Sequence, residues 1–276
     1  MGMARGAQGI FGGGIVRALK LAWVFFRTGI LGEAAYRANF FFHLLESVLE
    51  LGSALAGLAV IFSRTATLGG WRPDELLALV GVYFLMGGAI GLVIQPSMEL
   101  LTEKVRDGTL DFTLTKPEDS QLLVSIQGVE IWKLTDIALG LGVIATAMVR
   151  LGEHVGPAHA AFFLAALAAG GLIVYSFWLI LATTAFWFVR VENILVIFQS
   201  LYEAGRWPVN LYPGWLKFFL TFLVPVAFAT TVPAQALAGS LTPRTLIGAG
   251  VFAVALFAAA RVFWRLGLRR YSGASS

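Results

Sequence analysis

The chain has 276 residues, of which 58% are hydrophobic and only 13% charged, and its mean hydropathy is +0.80. A soluble domain of this length would need about twice that charge to cover its surface, and the apolar residues come in blocks near the roughly 20 that cross a bilayer, so one helical integral membrane domain is expected. The absence of cysteine excludes disulfides, thiolate zinc sites and cysteine nucleophiles, and with a modest net charge of +4 no nucleic-acid partner is expected.

Residues 1–38 are expected to be a cytoplasmic leader followed by an interfacial helix. Arg5 precedes the stretch GIFGGGIV, with neither a long apolar core nor a small-residue cleavage site behind it. No Gly-Lys-Ser/Thr follows those glycines, so they are not a phosphate loop. From 15 to 38, Val16, Leu19, Trp23, Phe26 and Ile30 recur at three and four residues, with Arg17, Lys20 and Arg27 off that stripe. Such a basic amphipathic helix suits an anionic inner leaflet; packing on a soluble partner is the alternative.

Apolar spans follow at 39–62, 75–100, 129–149 and 160–188. Arg190-Val191-Glu192-Asn193 then breaks the apolar pattern. The next stretch, 194–207, is short for a crossing, and 215–238 is interrupted by Pro225 and Pro233. The last span is 245–266, which leaves 267–276 as a tail and 39–266 as the transmembrane domain.

Lysine and arginine orient such a chain. With a cytoplasmic N-terminus and six spans, six of the 20 basic residues fall outside: Arg64, Arg72, Arg150, Arg206, Lys217 and Arg244. The rest fall inside, which places both termini in the cytoplasm. One region stays open. If 215–238 is the true span and 190–217 stays cytoplasmic, Arg206 and Lys217 also move inside. If 194–207 crosses, 215–238 dips into the outer leaflet and returns, which proline-broken backbone tolerates when shielded by protein.

Polar groups inside the spans are candidate functional residues. His43, Glu46 and Glu50 lie at i, i+3 and i+7 on one helix face. Glu50 comes about 16 Å past Asn39, near mid-membrane. Glu130, Lys133 and Asp136 follow at intervals of three on the third span, and Glu99 closes the second. Ionisable groups at such depth face a bundle interior or a wet cavity, which suggests a vestibule for cationic or amphipathic cargo. The alternative is that these helix ends project into water. The three histidines, His43, His154 and His159, have no metal-ligand spacing. An intramembrane hydrolase or lipid transferase is a rival reading that would use Glu46 and Glu50.

The largest predicted cytoplasmic loop, 101–128, contains VRDGTLDFTLTKPEDSQ. Asp107-Gly108 reads as a helix stop, and Lys116-Pro117-Glu118-Asp119 as a helix start. Between them Leu110, Phe112 and Leu114 alternate with polar residues, as an apolar edge suited to a soluble partner.

Glu103, Arg106, Gly108-Thr109-Leu110-Asp111, Leu114 and Pro117 resemble the acid, Gly-Thr-Leu-Glu, Leu and Pro pattern that ABC-2 type exporter permeases carry between their second and third spans. Here Asp111 replaces the usual Glu, and Phe112 is an added aromatic. The forms DGTLDF, RWPVNLYP, VPVAFATTVPAQAL and LRRYSG are similar to an ABC-2 subfamily of unassigned substrate, over nearly the whole chain. The resemblance implies a permease that pairs with a second copy or a paralogue. It also implies a separate ATP-binding subunit that would hold ATP and Mg, with no cofactor in this chain. Glu103 to Pro117 would then be the coupling segment on that ATPase. The N-terminal helix would be a connecting helix, and Pro225 and Pro233 would belong to an outer re-entrant element. The expected location is a prokaryotic cytoplasmic membrane. Glu192 departs from the family's Arg-Asp turn by following Arg190 at two residues.

Overall fold

The computed structural model describes residues 37–152, 156–188 and 192–271. The amphipathic segment expected before residue 37, the turn at Arg190 and residues 272–276 lie outside the described residues. Among the described residues every regular element is helical. Five helical stretches are long and apolar enough to cross a membrane: Phe40–Phe62, Pro73–Arg106, Ile131–Leu151, Pro157–Phe186 and Pro243–Leu268. A bent pair, Gly214–Leu223 and Val226–Leu237, turns by 70° at Pro225.

The elements are α1 (Arg37–Phe62), α2 (Pro73–Ala89), α3 (Gln95–Arg106), α4 (Asp111–Leu114), α5 (Ser120–Ser125) and α6 (Leu134–Leu151). Then come α7 (Pro157–Thr183), α8 (Glu192–Tyr202), α9 (Gly214–Phe218), α10 (Val226–Ala229), α11 (Thr231–Leu237) and α12 (Pro243–Leu268).

α2 is the centre of the bundle. Its most apolar window is 61% buried, against 17% for α1 and for α12. Those two instead turn Phe41, Phe42 and Val60, and Ile247, Val251 and Val254, outward. Such an apolar exterior suits lipid rather than water. α2 starts with Pro73 at its first position and Asp74 and Glu75 in its first turn, where the helix dipole favours anions. The Glu75 carboxylate accepts the Arg72 amide at 2.8 Å and closes that end.

Glycines set how closely α6 lies on α2. A Cβ on Gly140 would stand 2.5 Å from the Leu85 nitrogen, and one on Gly81 2.7 Å from the Ile144 side chain. The two backbones therefore touch where no side chain fits. Gly88 serves the same contact lower down, against Ile137.

α2 does not end where the apolar pattern weakens. It widens into a π-turn over Ile90–Ile94 and continues as α3. Pro96 has no amide to give the Leu92 carbonyl, and that carbonyl accepts the Glu130 amide at 2.9 Å instead. The Ser97 hydroxyl accepts the Gly128 amide at 3.0 Å, and Gln127 donates to the Ser97 carbonyl at 3.2 Å. A Cβ on Gly128 would lie 2.5 Å from Pro96, so only glycine fits. The returning arm of the loop is thus pinned to the kink.

The loop begins with a Schellman stop. Gly108 has φ +68°, the Thr109 amide bonds to the Lys104 carbonyl at 2.9 Å, and the Gly108 amide to Val105 at 3.4 Å. Two expectations are corrected beyond it. The stretch after Gly108 is a helical turn rather than an alternating edge, so Leu110 and Leu114 share a face and Phe112 opposes them. Leu110 is fully buried and Phe112 is 77% exposed. The helix restart comes at Ser120, later than Pro117, because the Asp119 carboxylate caps it through the Gln121 and Leu122 amides at 3.0 and 3.2 Å.

α8 and the segment after it climb the length of α2. Phe198 packs on Trp178 with ring centroids 5.0 Å apart, Tyr202 stacks on Tyr83 at 5.1 Å, and Leu211 covers Gly69 in the turn before α2. The bent pair then packs on α7, with the Phe228 carbonyl against Gly170. It finishes at Gly239, beside His159 at the start of α7. Both ends of the pair therefore sit at the bundle end that holds the starts of α2 and α7.

Candidate functional site

A cavity of about 360 Å³ opens between α1, the α2 π-turn, α6, α7 and α8. Its charged lining is Glu46, Glu50, Lys133, Asp136, Glu203 and Arg206. Its aromatic wall is Tyr83, Phe84, Trp178, Phe198 and Tyr202.

The two bases are already engaged. Arg206 forms an ion pair with Glu50 through its terminal nitrogen, and its guanidinium carbon lies 5.4 Å from the Tyr83 ring centroid. The Tyr83 hydroxyl donates to Glu50 at 3.4 Å. Tyr202, stacked on Tyr83, donates its own hydroxyl to the Tyr83 carbonyl at 3.0 Å, so the shelf beneath Arg206 is fixed. Lys133 reaches Asp136 at 3.3 Å, its stem lying across Gly91 with only 3.0 Å to an added Cβ. The Ser47 hydroxyl donates to Asp136 and ties α1 to α6.

The surplus charge is negative. Four acids face two bases, and Glu46 and Glu203 are left with no basic partner lining the cavity. Glu46 lies 3.6 Å from His43, which itself does not line the cavity. Gln95 links the two sides of the mouth, donating to Gln199 at 3.3 Å and to Glu99 at 2.9 Å. The indole N–H of Trp178, a ring only 1% exposed, has no acceptor among the described residues.

Of the span residues singled out in the sequence, Glu46, Glu50, Lys133 and Asp136 converge on this cavity. His43 stands beside it, while Glu99 and Glu130 line a separate recess with Glu103 and Arg106. Arg206, counted in the sequence among the basic residues outside, lines the cavity instead. The sequence reading also missed Tyr83, Trp178 and Tyr202, which sit in apolar runs that look like ordinary core. The signal for Arg206 was its place at the end of an apolar stretch too short to cross alone.

The loop forms a second polar cluster with α7 and α12. Arg261 of α12 holds Asp119 through both terminal nitrogens, one of them at 2.9 Å, and donates to the Gln121 amide oxygen at 2.8 Å. Gln121, 3% exposed, donates in turn to the Tyr175 hydroxyl of α7 at 3.1 Å. Ser125 meets the same hydroxyl at 2.7 Å. The hydrogen bonds from Arg261 hold the Asp119 carboxyl below its ordinary value of 3.8, with help from the Leu122 and Gln121 amides and against its partial burial.

A family model described as ABC-2 family transporter protein matches residues 48–275. Comparison with curated proteins and with solved structures gives no match.

Proposed function

The chain belongs to the ABC-2 transporter family and is a multi-pass membrane protein, and from that premise we propose that it is the permease subunit of an ATP-driven exporter. The observation that carries this reading is the cavity: six charged side chains from four elements, held beside helices whose outer faces are apolar. Ionisable groups inside a membrane domain are costly unless they face a cavity or a partner, so a cluster of this kind marks a route rather than a packing detail.

A separate ATPase subunit supplies the energy, binding ATP and Mg, and a second copy or a paralogue completes the permease. The cavity alternates between the two sides as the ATPase biases the protein between conformations. The end with the loop 101–128 and the tail faces the cytoplasm of a prokaryotic cell, as the lysine and arginine bias suggests. Pro73–Arg106 would be about 50 Å long, well beyond a hydrocarbon core of about 30 Å. Glu99, Glu103 and Arg106 then project toward water with the loop.

Residues 192–206 make the sixth crossing, and 214–237 re-enter from the outside. This reading is supported by Leu211, which has reached the turn before α2, and by the return of the bent pair to the start of α7. Pro225 and Pro233 are both buried within the protein, as broken backbone in a membrane requires.

The cargo is amphipathic and carries positive charge. Aromatic walls accept an apolar body and attract cations, and the unbalanced acids favour a cationic head. The alternative of a membrane scaffold separates cleanly by experiment. Copurification of a neighbouring ATPase whose hydrolysis rate changes when this chain is present supports the permease. An ATPase that neither binds the chain nor responds to it supports the scaffold.

A further inference from the structure

The loop is fastened at two places to two different parts of the bundle. Its returning arm is pinned to the α2 π-turn by Gly128, Gln127 and Glu130, and α6 follows directly from that arm. Its α5 segment is fastened to α7 and α12 by Asp119, Gln121, Arg261 and Tyr175. Trp264 adds a weak bond from its indole to the Ser120 hydroxyl at 3.4 Å. Leu110 and Val124, both fully buried, join the hydrophobic core beneath.

We propose that Arg261 is the positioning residue that passes movement of the loop to α7 and α12, so that both parts of the bundle respond together. The inference rests on the permease reading and goes beyond it, since docking of the loop on an ATPase says nothing about which helices the loop drags.

The chemistry fits that task. A guanidinium that holds a carboxylate through two nitrogens fixes direction as well as distance, which an ammonium cannot. Its third contact goes to an amide buried enough that both ends need partners. Gln121 satisfies this with Arg261 on one side and Tyr175 on the other, so a shift of α5 displaces α12 and α7 at once. The aliphatic contacts underneath could hold the loop in place. They are non-directional, however, and let it slide.

Intermediacy in space is not coupling, so the test must read coupling. The full chain is reconstituted with its ATPase in vesicles. Asp119→Asn removes the charge but keeps a side chain that caps α5 equally well, and Arg261→Gln removes the fork. Each variant should bind the ATPase and hydrolyse ATP, yet move on the order of tenfold less tetraphenylphosphonium, the cationic probe, per ATP, within the usual range of coupling between sites. The double variant should be no worse than either single one. The chain contains no cysteine, so spin labels at Thr115 and Arg269 report the distance between loop and α12. That distance should stay constant between nucleotide states in the wild type and change in Arg261→Gln.

Wild-type yield of transport per ATP in both single variants overturns the proposal, as does a wild-type distance that changes with nucleotide as it does in the variant. A wild-type complex that hydrolyses ATP without moving any cargo contradicts the permease reading itself. That outcome is distinguishable because the variants are then judged against a silent parent.

Discussion

Glu50 and Arg206 stand 156 residues apart in sequence and meet as an ion pair inside the bundle. α1 touches the rest of the protein lightly, and this pair and Ser47 on Asp136 are polar ties of its inner face, beside the buried Ala54 and Leu58. Removing one partner of an enclosed pair leaves the other charge uncompensated, at about 3–5 kcal/mol for full burial. Both side chains here are about a third exposed, so a loss of about 1–2 kcal/mol is expected for Glu50→Gln or Arg206→Gln. The double variant should recover part of that loss. Thermal unfolding of all four forms in one detergent checks this, and strictly additive losses would show that the pair is incidental.

The unbalanced acids give a test of cargo chemistry. Tetraphenylphosphonium and tetraphenylborate have nearly the same size and shape and opposite charge. The cation should bind the purified chain more tightly than the anion, and Glu203→Gln should reduce that preference. Fluorescence quenching of Trp178 and its neighbours reads the binding. Equal affinity for both ions would remove the cationic cargo from the account.

Packing of α6 on α2 depends on the absence of a side chain at one place. Gly140→Leu forces the backbones apart where 2.5 Å is available to the first added carbon, and overpacking of this kind costs about 1–3 kcal/mol or more. The variant should accumulate poorly or aggregate on size exclusion. Gly142→Ala on the same helix meets nothing within 4 Å and should behave as wild type. Two normal proteins would mean that α6 can slide away from α2.

The loop separates stability from docking. Leu110→Ala opens a cavity at a fully buried site, and about 2–5 kcal/mol of stability should be lost. Phe112→Ala removes an exposed ring and should leave stability within about 0.5 kcal/mol. If Phe112 is the contact for the ATPase, that second variant is the one that loses copurification with it. Crosslinking from a cysteine at Thr109, in a chain that has no other, reads the contact directly.

Much of this architecture is legible in the sequence because bilayer thickness imposes its own length on apolar runs, and Lys and Arg mark the ends. The polar face of α1 is visible too, since i, i+3, i+7 spacing survives any packing arrangement. What escapes is what depends on contacts distant in sequence. Nothing around Arg206 announces Glu50, and nothing around Arg261 announces Asp119. The loop misleads for a local reason: Leu110, Phe112 and Leu114 fit a two-residue alternation and a single helical turn equally well. Only the buried pocket for Leu110 selects the turn. Pro117 looks like a helix start because proline suits that place, but the Asp119 carboxylate two residues later caps better.

The central claim, that the cavity is a route whose access an ATPase controls, is tested most directly by a single cysteine at Gln199 on the cavity wall. A maleimide that cannot cross membranes is added from the cytoplasmic side, with the partner ATPase bound. Fast labelling without nucleotide and protection with trapped ATP is the predicted result. Labelling at one rate in every nucleotide state, with and without the ATPase, would contradict it.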